Sequence, residues 1–168
     1  MSKILIGVMG PGEQALPAQI EAAYALGKGL AEQGWTVLTG GRNVGVMEAA
    51  CRGAHAAGGL TVGIVPGNDN SGVSAAVDIP IFTSLGNARN IINVLSSQVV
   101  VACGMGAGTA SEVALAIKAG KPVILMQVDL EVREFFQRLT AQPVQQAETV
   151  AIAIEQIHTL LSAATPHR

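Results

Sequence analysis

Two patterns of hydrophobic and polar positions alternate along the chain. Short runs of consecutive apolar residues are typical of strands that are buried on both faces. They predict strands at residues 3–9, 36–39, 60–65, 79–82, 98–103 and 122–127, with 79–82 as a short edge strand. Between these runs, apolar residues recur every three or four positions, which is the period of a helix. They predict helices at residues 12–33, 46–57, 87–95, 109–119, 130–139 and 148–163, with Asn87 as a helix cap.

The order of these elements predicts the fold class. Strands that alternate with helices at this spacing form βαβ units. We therefore expect an α/β fold: a Rossmann-like, doubly wound, mainly parallel sheet with helices on both faces. Residues 67–78 are polar and predict a loop, whereas residues 143–146 are ambiguous. The length of 168 residues suits a single ligand-binding domain over residues 1–168.

The composition narrows the class of protein. Hydrophobic residues make up 49% and charged residues 13%, and the net charge is −2, which argues against a disordered chain and against a nucleic-acid partner. The longest uncharged run, residues 90–111, contains Asn, Ser, Gln and Gly, so we predict no membrane span. No secretory signal is recognisable, and we expect a cytoplasmic protein. The scarcity of charge indicates a surface covered by a partner subunit, in a homo-oligomer that is a dimer or larger.

Glycine-containing segments follow four of the predicted strands. They are Gly10-Pro11-Gly12, Gly40-Gly41-Arg42-Asn43-Val44-Gly45, Pro66-Gly67 and Gly104-Met105-Gly106-Ala107-Gly108-Thr109. The carboxyl ends of parallel strands share one edge of the sheet, where glycine lets the backbone approach a ligand and helix N-termini attract anions. Tight turns also require glycine, but four such loops at one edge favour a phosphate-binding crevice.

Two common phosphate-containing ligands do not fit these loops. Gly10, Gly12 and Ala15 have the spacing of a dinucleotide fingerprint, but the second strand ends at Thr39 without the acid that holds a ribose. Glu13 lies where it would repel a pyrophosphate. The chain has no G-x-x-x-x-G-K-[ST] motif. We therefore predict neither NAD nor ATP.

Three charged residues lie at these loops. Arg42 is inside the second loop, Arg89 begins the helix after the short strand, and Glu112 lies one turn into the helix after Gly108. Together they suit a phosphorylated ligand that carries one further polar group. The alternative is structural: Glu112 would be a first-turn acid that favours the helix dipole, and Arg89 its surface partner.

Four motifs occur in a specific order. They are Gly40-Gly41-Arg42-x-x-Gly45-Val46-Met47-Glu48-Ala49, Ala57-Gly58-Gly59-x-Thr61-Val62-Gly63-Ile64-Val65-Pro66-Gly67, Ala88-Arg89-Asn90-x-x-Asn93 and Gly106-x-Gly108-Thr109-x-Ser111-Glu112. Through them, residues 3–127 resemble the molybdenum cofactor carrier proteins, within the LOG (lysine decarboxylase-like) superfamily of Rossmann-like proteins. The resemblance implies binding of molybdenum cofactor, a molybdopterin with a terminal phosphate, without its transformation. It also implies molybdoenzymes or their insertion machinery as partners.

The loops and the resemblance together predict the residues that bind this cofactor. They are Gly10, Gly12, Gly40, Gly41, Arg42, Gly45, Met47, Pro66, Gly67, Arg89, Asn90, Gly106, Gly108, Thr109 and Glu112. We predict no metal site formed by the protein, since His and Cys have no metal-ligand spacing. Cys103 lies beside a glycine loop, where a helix N-terminus lowers the pKa of a thiol and a metal dithiolene group could lie near it. The alternative for Cys103 is a small residue of the core.

The enzymes of the LOG branch provide the alternative function. They hydrolyse nucleoside 5′-monophosphates to a free base and ribose 5-phosphate, and Arg89 and Glu112 would then be catalytic. The first two residues of their signature P-G-G-x-G-T-x-x-E are replaced here, and Arg89 lacks the acidic and basic neighbours of the enzymes. Cleavage also needs a second acid or base, for which Glu13 and Glu48 are the nearest candidates. These departures favour a carrier over a hydrolase.

Overall fold

The computed structural model describes residues 3–164 and contains one sheet of seven strands. The strands are β1 (Leu5–Met9), β2 (Thr36–Thr39), β3 (Thr61–Val65), β4 (Ile79–Phe82), β5 (Val99–Cys103), β6 (Val123–Met126) and β7 (Gln145–Gln146). The helices are α1 (Pro17–Glu32), α2 (Gly45–Ala56), α3 (Asn90–Ser96), α4 (Ala107–Lys118), α5 (Leu130–Gln137) and α6 (Val150–Ala164), and a 3₁₀ helix (Gly86–Arg89) precedes α3. Each neighbouring pair of strands is parallel, which confirms the predicted α/β class.

The strand order places a change of direction at the middle of the sheet. The order is β4-β3-β2-β1-β5-β6-β7, so the chain moves outwards from β1 and then returns to β5 on the other side of β1. The helices that follow β1 and β5 therefore lie on opposite faces of the sheet. A crevice opens between them at the carboxyl ends of these two strands, which is where open α/β sheets bind ligands.

Side chains of the strands alternate between two hydrophobic cores, one on each face. Ile6 and Val8 of β1 pack with α1, α2 and α6 on one face. Met9 of β1 and Val100 of β5 pack with α3, α4 and α5 on the other face. Because the central strands are buried on both faces, they are continuous apolar runs in the sequence, and their positions were predictable for that reason.

Two helices next to the crevice begin later than the sequence predicts. α1 begins at Pro17 rather than at residue 12, because residues 12–15 form a turn in which the N–H of Ala15 donates to the carbonyl of Gly12. The helix predicted at residues 87–95 is divided into the 3₁₀ helix and α3. Asn87 is inside the 3₁₀ helix, so its assignment as a helix cap is wrong. Both differences place polar residues at the crevice.

The structure also defines two segments outside the central strands. Residues 143–146 contain the two-residue strand β7, which pairs with β6. Residues 67–78 contain no strand and are joined to the β2–α2 loop by an isolated bridge between Arg42 and Val73. Among the helices within residues 3–164, none is long and apolar enough to cross a membrane.

Candidate functional site

A cavity of about 290 Å³ lies in the crevice at the carboxyl ends of β1 and β5. Its lining residues are Val8, Met9, Gly10, Pro11, Gly12, Glu13, Gln14, Gly40, Arg42, Met47, Asn87, Arg89, Asn90, Gly106, Ala107, Gly108, Thr109 and Glu112. Its charged groups divide into two sets. We call the buried pair, Arg89 and Glu112, the floor of the cavity, and the exposed pair, Arg42 and Glu13, its rim.

Arg89 forms hydrogen bonds with three segments of the chain at the floor. Only 6% of this residue is exposed. Its Nε donates to the carbonyl of Ile64 (2.7 Å), its Nη1 to that of Gly86 (3.1 Å) and its Nη2 to that of Gly40 (3.3 Å). Gly40 allows this approach, because a Cβ atom there would lie 2.7 Å from Nη2. Burial lowers the pKa of Arg89, and the negative charge of Glu112 opposes this shift.

Glu112 places a carboxyl group on the same floor. It extends from α4, is 7% exposed, and its Oε1 accepts a hydrogen bond from Nδ2 of Asn93 (2.7 Å). Burial raises the pKa of Glu112 to about 7, although the bond from Asn93 and the charge of Arg89 both lower it. Within residues 3–164, no direct ion pair joins Glu112 to Arg89. The carboxyl group can therefore gain or lose a proton near neutral pH.

The rim pair connects two loops across the cavity mouth. Arg42 of the β2–α2 loop forms a bidentate ion pair with Glu13 of the β1–α1 loop. Nη2 of Arg42 contacts Oε1 of Glu13, and Nη1 lies 3.5 Å from Oε2. The hydrogen bond from Arg42 lowers the pKa of the Glu13 carboxyl. Both side chains are exposed, at 39% and 64%, so the pair is weak and an incoming anion can exchange with Glu13.

The N-terminus of α4 offers hydrogen-bond donors to the cavity. The first intrahelical bond runs from the N–H of Ala110 to the carbonyl of Gly106 (2.8 Å), so the N–H groups of residues 107–109 precede it. Such groups, with the positive end of the helix dipole, favour an anion. Asn90 steadies this turn: it donates to Oγ of Ser111 (2.9 Å), which itself donates to a first-turn carbonyl (2.7 Å).

The structure brings most of the predicted site residues to one cavity. Those that line it are Gly10, Gly12, Gly40, Arg42, Met47, Arg89, Asn90, Gly106, Gly108, Thr109 and Glu112. Four others do not line it: Gly41, Gly45, Pro66 and Gly67. The glycine loops after β1 and β5 therefore form the cavity with part of the loop after β2.

The N-terminus of α2 lies against the β1–α1 loop, which explains the position of Gly45. The N–H of Val46 donates to the carbonyl of Pro11 (3.0 Å). A Cβ atom on Gly45 would lie 2.2 Å from the carbonyl of Gly12, and Gly45 has a positive φ of 54°. This glycine therefore serves a close approach of two loops.

The loop after β3 also forms hydrogen bonds within the chain. The carbonyl of Pro66 accepts a bond from the N–H of Gly86, and that of Gly67 accepts one from Ser84 (both 3.0 Å). These bonds hold the segment that leads into the 3₁₀ helix. The loop thus positions Arg89 indirectly, through the element that carries it.

Burial decides two further expectations, and location decides a third. Arg89 is not a surface partner of Glu112, because both residues are buried. Cys103 is wholly buried, and its Sγ donates to the carbonyl of Gln19. Burial raises the pKa of the thiol to about 12, so the expectation of a reactive thiolate at Cys103 is wrong. Of the two candidate second carboxylates, Glu13 lines the cavity, whereas Glu48 lies in a separate depression between α1 and α2.

One residue that matters at the floor had no role predicted from the sequence. Asn93 is completely buried and holds Glu112, yet it does not line the cavity. Its spacing carries a signal, because Asn93 lies four residues after Arg89 and therefore on the same side of the helical segment. Gln14 and Asn87, which line the cavity, follow predicted strands without belonging to a glycine motif.

Comparison with known proteins assigns the family. The model of the SLOG cluster4 family matches residues 3–156. The chain belongs to the SLOG cluster4 family. This match covers every strand of the sheet and the whole lining of the cavity.

Solved structures similar to this SLOG cluster4 protein share its whole fold. It is 56% identical to a molybdenum cofactor binding protein from Rippkaea orientalis, with a TM-score of 0.94 over 96% of this chain and 99% of the other. It is 52% identical to the molybdenum cofactor carrier protein from Chlamydomonas reinhardtii, with a TM-score of 0.91 over the same shares. A cytokinin riboside 5′-monophosphate phosphoribohydrolase from Mycobacterium marinum is 44% identical, but over 50 residues, which are 30% of this chain and 27% of the enzyme.

Proposed function

We propose that this protein binds molybdenum cofactor in the cavity between the β1 and β5 loops and carries it without transforming it. One observation carries the proposal: a chain 52–56% identical to molybdenum cofactor binding proteins has a cavity equipped for an anion. The terminal phosphate would meet the first N–H groups of α4 and the guanidinium of Arg42. Met47 and Met9 offer apolar lining for the remainder of the ligand.

The chemistry of the floor supports holding over hydrolysis. Glycosidic cleavage needs an acid or base for the leaving group and a second group for the nucleophile or its activation. Glu112 is one candidate, and Glu13, the other lining carboxylate, is paired with Arg42. Arg89 already donates to three backbone carbonyls. Hydrolysis of nucleoside 5′-monophosphates is the second candidate function, supported by Arg89 and Glu112 lining one cavity.

The binding experiment uses cofactor released anaerobically from a molybdoenzyme. Purified protein is mixed with it and passed through gel filtration, and molybdenum and pterin are measured in the protein peak. We expect co-elution and slower oxidation of the bound cofactor. Arg42→Gln should weaken retention, while Arg52→Gln, an exposed arginine outside the cavity, should not. Absence of co-elution, together with base release from AMP that Glu112→Ala abolishes, would favour the hydrolase.

We also infer that the chain assembles with copies of itself. Large apolar side chains are exposed in the N-terminal half of α1 and on the edge strand β4: Leu16, which caps α1, Ile20, Tyr24, Ile79, Ile81 and Phe82. Patches of this kind mark interaction surfaces. Light scattering should give a mass of at least two chains, and a monomer mass would contradict the inference. Transfer of the cofactor to molybdoenzymes or their insertion machinery, in the cytoplasm, stays a prediction, as does a single domain over residues 1–168.

A further inference from the structure

The side chain of Asn93 is only half used by the fold. It is completely buried, and its Nδ2 donates to Glu112 Oε1 at 2.7 Å. Its Oδ1 is also buried and has no hydrogen-bond partner within residues 3–164. An unpaired buried carbonyl destabilises a protein, and a leucine would fill a similar volume without that cost. The amide is therefore explained by what it does for Glu112.

An amide can hold a carboxyl group in either charge state. Its N–H₂ donates to a carboxylate oxygen, which is the bond that the structure shows, and its oxygen accepts from a protonated carboxyl after half a turn of the amide. The two orientations have nearly the same shape. Asn93 can thus exchange one for the other without displacement of the backbone. A leucine offers neither bond, and an aspartate would add a second acid.

The surroundings of Glu112 give it a reason to change charge. The charged groups of the cavity are Arg89 from the 3₁₀ helix, Arg42 from the β2–α2 loop and Glu13 from the β1–α1 loop. Arg42 and Glu13 are paired, and Arg89 is the charge that acts on Glu112. A bound phosphate brings one or two negative charges into the same cavity. A buried carboxylate near them is destabilised, and a protonated carboxyl is not.

We propose that Glu112 takes up a proton from solvent when a phosphorylated cofactor binds, and that Asn93 is the positioning residue that holds the carboxyl group in both states. This inference rests on the proposed function. One O–H bond forms on Glu112 on binding, at the expense of a proton from water or buffer, and the same bond breaks on release. Binding is therefore tighter at low pH, and a rise in pH favours release of the cofactor.

The first test concerns the protein without ligand. Carbon-13 NMR follows the carboxyl carbon of Glu112 as a function of pH, with Glu112→Gln to assign its signal. We expect a midpoint near pH 7, because burial raises the pKa of this group to about 7. In Asn93→Leu the midpoint should move upwards, since the ionised form loses its donor. A midpoint below pH 5 in the unmodified protein, or the same midpoint in Asn93→Leu, would overturn the role of this pair.

The second test adds the cofactor. Retention of molybdenum cofactor is compared at pH 6 and pH 8 in the unmodified protein and in Glu112→Gln, which carries no titrating carboxyl there. The ionisation of the phosphate itself is common to both. We expect the loss of affinity from pH 6 to pH 8 to be about tenfold larger in the unmodified protein. Equal losses in the two proteins would contradict proton uptake by Glu112 but not the proposed function. Absence of retention at both pH values would contradict the proposed function, and the coupling with it.

Discussion

The floor and the rim of the cavity contain the same pair of residue types in opposite settings. At the floor, Arg89 and Glu112 are 6% and 7% exposed, and Arg89 donates to three backbone carbonyls. At the rim, Arg42 and Glu13 are exposed and bind each other directly. A buried arginine with backbone partners maintains structure, whereas an exposed one paired with a carboxylate can exchange that partner for a ligand. The comparison separates residues that shape the cavity from residues that contact its ligand.

The largest effect is expected from Arg89→Met. The substitution leaves the carbonyls of Ile64, Gly86 and Gly40 without their donor and Glu112 without its positive neighbour. We expect the free energy of unfolding to fall by about 3–5 kcal/mol in urea denaturation. Arg52→Met, at an exposed position on α2, is the matched control and should change it by less than about 0.5 kcal/mol. Equal changes in both variants would refute a structural role for Arg89.

The next effect is the pH dependence of stability at the floor. Burial raises the pKa of Glu112 from 4.5 to about 7. The folded state therefore binds the proton more tightly than the unfolded state. The stability that protonation of Glu112 contributes is fully present below pH 4.5 and is lost as the pH rises through 7. It is on the order of 3 kcal/mol. Relative to Glu112→Gln, the unfolding free energy of the unmodified protein should fall across this range. Parallel curves for the two proteins would show that Glu112 does not titrate there.

Arg42→Gln should affect binding rather than folding. The ion pair with Glu13 is exposed to solvent and contributes little to stability, so urea denaturation should be nearly unchanged. Loss of a charge-assisted bond to the phosphate should weaken cofactor retention by about 1.5–3 kcal/mol, or roughly 10-fold to 150-fold. A large loss of stability with unchanged retention would reverse the assignment of floor and rim.

The smallest effect is expected from Glu13→Gln. The substitution removes the carboxylate that competes with the ligand for Arg42. Retention of the cofactor should therefore increase by about fivefold or less, the value of an exposed ion pair. Glu21→Gln, an exposed acid on α1 outside this cavity, serves as the control. Weaker retention in Glu13→Gln would show instead that Glu13 contacts the ligand directly.

The sequence predicted the sheet better than it predicted the loops. Buried parallel strands are continuous apolar runs, so β1, β2 and β5 were recognisable from hydrophobicity alone. The start of α1 was not recognisable, because the helical spacing of apolar residues from Leu16 onwards does not distinguish the turn at residues 12–15 from a first helical turn. Two-residue β7 is too short to produce a pattern.

Glycine motifs located the cavity but did not distinguish ligand contacts from packing. Gly40 lines the cavity beside Arg89, whereas Gly45 belongs to the same motif and packs against the β1–α1 loop. Tertiary contacts decide between these roles, and one motif contains both. Asn93 shows the complementary limit: its bond to Glu112 joins two helices, which spacing along one helix cannot reveal.

The most direct measurement is a crystal structure of the protein grown anaerobically with molybdenum cofactor. We expect the phosphate against the first-turn N–H groups of α4, with Arg42 turned from Glu13 towards it and Arg89 still bound to its three carbonyls. Cofactor bound elsewhere, for example in the depression between α1 and α2, or a cavity in which Arg42 keeps its pair with Glu13, would contradict it.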